Sequence, residues 1–150
     1  MLCNGGDMVH FDNQRGETAH KTSVECDSRY QKVFQEACDA LVECIEFLQL
    51  HFPKVKFINI NGNHDLTTSF YIGEYMKAFF KKDKNVQIDN TPRLRKYYQY
   101  GQVCIMATHG DKNPKKLPIV FSREFENFSK CRFPEIHLGH KHRESKEVFG

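Results

Sequence analysis

Two apolar stretches of this chain, Val55-Lys56-Phe57-Ile58-Asn59-Ile60 and residues 103–108, run directly into polar turns, Asn61-Gly62-Asn63-His64-Asp65 and His109-Gly110-Asp111. A short apolar, β-branched run bounded by turn residues reads as a buried strand. Glycine, asparagine and aspartate are the residues that accept tight turns. Elsewhere the apolar period is helical. Tyr30, Val33, Phe34, Ala37, Leu41, Ile45 and Leu48 predict a helix over about 28–50, with Ser28 and Gln31 spaced as a capping box and Pro53 closing the element. Ile72, Tyr75, Met76 and Phe79 predict a second helix over about 69–81. A short strand at 86–88, a hairpin of 97–100 with 103–108 around Gly101, a helix near 117–128 and a strand at 135–138 complete the pattern. Helices alternating with strands predict an α/β fold, in which ligand sites gather at the carboxyl ends of strands.

The 150 residues, with no internal repeat and no Pro/Gly-rich linker, predict one domain, 1–150. At 39% hydrophobic and 27% charged, the chain has the composition of a globular protein rather than a disordered one. No apolar run approaches the roughly 20 residues of a membrane span, and Met1-Leu2-Cys3-Asn4-Gly5-Gly6-Asp7 has neither the basic nor the apolar region of a secretory signal. The expectation is a cytoplasmic protein without a membrane partner. The formal net charge of +3 is too mild to indicate nucleic-acid binding by itself. Basic patches at 81–82, 93–96, 112–116 and 141–146 read first as solvated faces. The six cysteines, at 3, 26, 38, 44, 104 and 131, form no C-x-x-C and no disulfide framework, so all are expected to be reduced and mostly buried.

Four clusters hold the chemistry: Gly6-Asp7, Gly62-Asn63-His64-Asp65, His109-Gly110-Asp111 and Gly139-His140-Lys141-His142. Each sets a carboxylate, carboxamide or imidazole beside a glycine in a turn expected to follow a strand. These donors suit borderline divalent metals such as Mn²⁺, Fe²⁺, Zn²⁺ or Ni²⁺. A bridging carboxylate can hold two such ions about 4 Å apart, an arrangement used for in-line displacement at phosphorus. Taken singly, each cluster has an ordinary reading: Gly-Asp as a turn, Asn-His-Asp as a helix cap, His109 as a surface histidine, His-x-His as chance among eight histidines.

In this order the clusters resemble the signatures G-D, G-N-H-D/E, H and G-H-x-H of the calcineurin-like metallophosphoesterase superfamily. The connecting text, including Phe11-Asp12-Asn13, Asp89-Asn90-Thr91-Pro92 and Arg95-Lys96-Tyr97-Tyr98, resembles the branch encoded by bacteriophages and prophages. The resemblance covers essentially the whole chain. It implies a layered α/β/β/α sandwich with mixed sheets and two divalent metal ions, Mn²⁺ foremost. It also implies a phosphoesterase acting on a phosphate ester, with phosphodiesters, nucleotides or nucleic acid favoured as substrates. Asp7 would bridge the two metals. Asn63, His109 and His140 would complete one metal's ligands, and His142 would bind the other. His64 would face the substrate phosphate and protonate the leaving oxygen, with Asp65 holding its ring, while a hydroxide generated by the cations attacks. Asp12, Asn13 and Asp111 are supporting or turn residues on this reading.

The family opens with D-x-H on its first strand, and no such motif precedes Gly6. The chain also ends soon after His142, where the family continues its second sheet. The expectation is therefore an incomplete sandwich with exposed sheet edges, cut at both ends. The alternative to the enzyme is a catalytically impaired remnant that binds one metal. A nucleic-acid-binding module without chemistry is weaker, because the basic residues are dispersed and no recognition motif is present.

Overall fold

The structure, a computed structural model, describes residues 1–26 and 29–141. It is a mixed α/β fold with two small sheets and three α-helices. In chain order the elements are β1 (Leu2–Asn4), α1 (Tyr30–Gln49), β2 (Val55–Asn59), α2 (Leu66–Phe79), β3 (Val86–Asp89), β4 (Arg95–Tyr100), β5 (Val103–Thr108), α3 (Leu117–Glu124) and β6 (Phe133–Leu138), with single 3-10 turns at Pro114–Lys116 and Phe128–Lys130. The first sheet is parallel, in the order β1-β2-β3. The second, β4-β5-β6, is mixed, since β5 pairs antiparallel with β4 and parallel with β6.

Side-chain alternation along the strands decides how these pieces stack. On β2, Val55 and Phe57 meet Ala37, Leu41 and Ile45 of α1 and Ile72 and Met76 of α2. The intervening residue Ile58 points the other way, and with Ile60 it packs against Ala107 of β5 and Tyr98 of β4. Cys104 and Met106, on the opposite face of β5, meet Leu117 and Phe121 of α3. The packing order is thus helices, first sheet, second sheet, helix. Arg95 of β4 donates twice to the Glu124 carboxylate of α3, at 2.7 and 2.8 Å, and Tyr97 donates once, at 2.6 Å.

A buried polar chain ties the two sheets together. Asn4 Nδ2 donates to Asn59 Oδ1, and Asn59 Nδ2 donates to Ser69 O and Asn90 Oδ1, each at 2.8 Å. Lys96 of β4 reaches across with its side chain only 2% exposed and pairs with the Asp89 carboxylate at 3.2 Å. Its ammonium also donates to the carbonyls of Asn59, at 2.7 Å, and Asp89, at 2.9 Å. Burial pushes the Lys96 pKa below its ordinary value, against the pull of Asp89.

Several boundaries differ from the sequence expectation. Helix α2 begins at Leu66, three residues before Ser69, because the Asp12 carboxylate accepts from Thr67 N at 2.9 Å and Thr68 N at 2.7 Å. That cap comes from 55 residues away, where no local pattern registers it. Strand β6 begins at Phe133 and includes Pro134, which an edge strand accommodates. Helix α3 stops at Glu124, well before Phe128. Ser28 of the expected capping box lies outside the described residues. The cysteine reading needs correction: Cys104 and Cys131 are joined in a disulfide, with Cα atoms 5.8 Å apart. Folding brings the 3-10 turn that ends beside Cys131 onto the α3 face of β5, so two cysteines distant in sequence meet. Cys3, Cys26, Cys38 and Cys44 are free.

Candidate metal centre

Four of the sequence-predicted residues meet at the carboxyl ends of β1, β2, β5 and β6. After β1 the chain reverses through Gly6 at φ +88° and Asp7 at φ +55°, a left-handed pair that lifts the Asp7 carboxylate out of the strand line. Gly62 passes so close beneath that a Cβ there would strike the Asp7 amide nitrogen and carboxylate. The glycine is required for space, not for its φ. His64 N donates to Asp7 Oδ1 at 2.9 Å, which fixes the carboxylate from one side.

His109 is the hub. It follows β5 directly and is 4% exposed. Its backbone carbonyl accepts from Gly139 N and His140 N at 3.1 and 2.9 Å, so the end of β6 is fastened to it. Its Nδ1 lies 2.9 Å from the Gly5 carbonyl. A carbonyl oxygen can only accept, so Nδ1 carries a proton, and Nε2 is the ring nitrogen left to face the other donors. Around that Nε2 stand Asn63 Oδ1 at 2.8 Å, Asp7 Oδ2 at 3.3 Å and His140 Nδ1 at 3.3 Å. The donor atoms of Asp7, His109 and His140 all lie within 4.8 Å of one another.

Four atoms able to accept thus stand around one point, an arrangement with the donor set of a divalent-cation site. Adjacent ligands of an octahedral ion bound at about 2.1 Å lie about 3.0 Å apart, close to the three distances measured from His109 Nε2. One carboxylate oxygen, one amide oxygen and two imidazole nitrogens suit Mn²⁺, Fe²⁺, Zn²⁺ or Ni²⁺. The residues fit the metal that the motifs imply.

The two remaining residues of the Gly62-to-Asp65 cluster diverge. Asp65 is fully buried and turns beneath the turn, where Oδ1 accepts from Asp7 N and Gly62 N and Oδ2 from Val9 N, each at 3.1 Å. Burial raises its pKa, helped by the nearby Asp7 charge and opposed by those three amides. Asp65 therefore shapes the turn that carries Asp7; among the described residues it makes no hydrogen bond to the His64 ring, contrary to the expectation. The half-buried His64 ring instead lies against His10, with ring centroids 5.2 Å apart. Asp12 caps α2, and Asn13 Oδ1 accepts from Arg15 N at 2.8 Å, closing a turn. Asp111 is exposed. His142 lies outside the described residues, so the second expected metal position rests on sequence alone.

Sequence reasoning passed over the residues under the site. Asn4, Asn59, Asn90 and Lys96 are all buried, and the one local signal was Asn59 interrupting an apolar strand. Compared with protein-family models, with curated proteins and with solved structures, the chain matches none. Among the described residues, no helix is long and apolar enough to cross a membrane.

Proposed function

We propose that this chain is a divalent-metal-dependent phosphoesterase with the calcineurin-like arrangement of layers and strand-end ligands. The observation that carries the reading is the convergence of Asp7 Oδ2, Asn63 Oδ1 and His140 Nδ1 on Nε2 of His109. The helix, sheet, sheet, helix packing supports it, because that stacking brings the ends of both sheets to one place. Two ions are the expected complement, with His142 as a ligand of the second.

Divalent ions bound here would supply Lewis acidity toward a phosphoryl oxygen and a water of low pKa. The chain's own residues do the rest. Asp65 and Gly62 hold the turn that presents Asp7. Gly5 fixes the His109 tautomer, the service that a backbone carbonyl performs for metal-ligating histidines generally. His64, its ring free of the ligand cluster, donates a proton to the leaving oxygen of the ester. Phosphodiesters, nucleotides or nucleic acid are the favoured substrates.

The test is hydrolysis of bis(p-nitrophenyl) phosphate by metal-stripped protein, with and without added Mn²⁺. Turnover that appears with Mn²⁺ and vanishes with EDTA supports the reading; Mn²⁺-loaded protein inert toward both diesters and monoesters rejects it.

A further inference from the structure

Strand β6 delivers His140, yet among the described residues little side-chain packing holds it. Five of its six residues are exposed and only Ile136 is half-buried, against the Cys104–Met106 core. Among the described residues its main attachments are these. The backbone ladder to β5 runs from Phe133 opposite Val103 to Leu138 opposite Thr108. At the carboxyl end, Gly139 N and His140 N donate to His109 O. At the amino end, Arg132 N and Phe133 N share the Gln102 carbonyl, at 3.0 and 3.1 Å, and the Cys104–Cys131 bond supplies a covalent tie. An exposed edge strand with one half-buried side chain belongs to the parts of a fold that open most readily. A cross-link at its entrance removes open arrangements from that local equilibrium.

We propose that Cys104 and Cys131 form a thiol–disulfide device that sets how firmly His140 is held in the metal centre. The inference rests on the metal-centre reading but not on phosphoesterase activity. Cys104 is fully buried, whereas Cys131 is half-buried, so the Cys131 sulfur is the one an external thiolate reaches. In the oxidising direction, two protein thiols and one glutathione disulfide give the Cys104–Cys131 bond and two molecules of glutathione. The protein loses two electrons and two protons, and glutathione disulfide takes up both. In the reducing direction a dithiol reverses the exchange. The oxidised protein keeps β6 in register, with His140 Nδ1 3.3 Å from His109 Nε2. The reduced protein lets the amino end of β6 fray, and His140 spends less time among the ligands.

The experiment is Mn²⁺ titration of the whole chain in both redox states, with the reductant removed before metal is added and the thiol count checked by mass. Amide exchange of the metal-free protein is followed in parallel over 133–140. The oxidised form should bind Mn²⁺ on the order of 10–100-fold more tightly than the reduced form, the span seen when the support of a ligand is lost. It should also protect the 133–140 amides better. Cys131→Ser should match the reduced protein under both conditions; if that variant does not fold, the reduced wild type carries the test alone. Equal Mn²⁺ affinity and equal exchange in the two states overturns the proposal while leaving the metal centre standing. Oxidised protein that binds no Mn²⁺ overturns both.

Discussion

His109 Nδ1 lies 2.9 Å from the carbonyl oxygen of Gly5, a residue 104 positions earlier and in the other sheet's turn. This bond fixes the histidine tautomer and fastens the end of β5 to the end of β1. Structure and chemistry are coupled at that point, because the ring that aligns the sheets is the ring whose other nitrogen faces Asp7, Asn63 and His140.

Replacing His109 should therefore do two things at once. His109→Ala is expected to weaken Mn²⁺ binding by more than the roughly 10–100-fold that loss of a merely supporting residue costs. It should also lower stability by about 1–3 kcal/mol, since the Gly5 carbonyl loses its donor and a buried volume empties. Isothermal titration beside urea unfolding checks both. A variant that binds Mn²⁺ like the wild type would remove His109 from the ligand set.

His64 should separate binding from turnover. Its backbone anchors Asp7, but its ring lies beside His10 and is not one of the grouped donors. His64→Asn is expected to keep the wild-type metal content and lose about 10²–10⁴ in rate, the usual contribution of a general acid. Metal analysis and steady-state kinetics on the same preparation decide it. Metal content falling in step with activity would make His64 a ligand.

Asp12 offers a stability test outside the candidate metal centre. Its carboxylate accepts from Thr67 N and Thr68 N at the start of α2, and its loop also meets the site through Ala19 N donating to His64 O at 3.0 Å. Asp12→Ala should cost about 1 kcal/mol, the ordinary loss for a helix cap. Asp12→Asn should recover most of it. Equal stability of all three proteins in urea would dismiss the cap.

What was legible in the sequence was local. The α1 stripe of Ala37, Leu41 and Ile45 is legible because core contact and helical period are one fact seen twice. The convergence of Asp7, Asn63, His109 and His140 is legible because each sits in a glycine-flanked turn that follows a strand. What stayed hidden depends on partners far along the chain. Asp65 looked like a partner for its neighbour His64, but successive side chains diverge, and it serves Asp7, Val9 and Gly62 instead. Asp12 reaches a helix 55 residues away. Cys131 meets Cys104 only once the segment after α3 has folded onto β5. Pro134 masked the beginning of β6, because its missing N–H argues against a strand unless the strand is at an edge.

Lys96 was the least legible of all, since it lies in a basic patch that reads as solvated and is instead buried. Its ammonium donates to the Asn59 and Asp89 carbonyls and pairs with the Asp89 carboxylate. Lys96→Met keeps the aliphatic stem but leaves those acceptors unpaired and the Asp89 charge uncompensated. The expected loss is about 1–3 kcal/mol, the cost of leaving buried acceptors unpaired, because the Asp89 carboxylate is partly solvated and keeps its bonds from Thr91. The pH dependence carries a sign. Burial depresses the Lys96 pKa below the ordinary 10.5, so the folded chain releases this proton at lower pH than the unfolded chain does. Between the depressed value and 10.5 the unfolded chain binds more protons, and stability rises with pH there. That part of the stability is present above the unfolded pKa and is lost as pH falls through the folded one. Urea unfolding of wild type and Lys96→Met through this alkaline window isolates the contribution, because the other alkaline groups titrate in both proteins. The wild type should gain stability relative to the variant as pH climbs toward 10.5; a difference that shrinks instead would mean that pairing with Asp89, and not burial, governs the Lys96 proton.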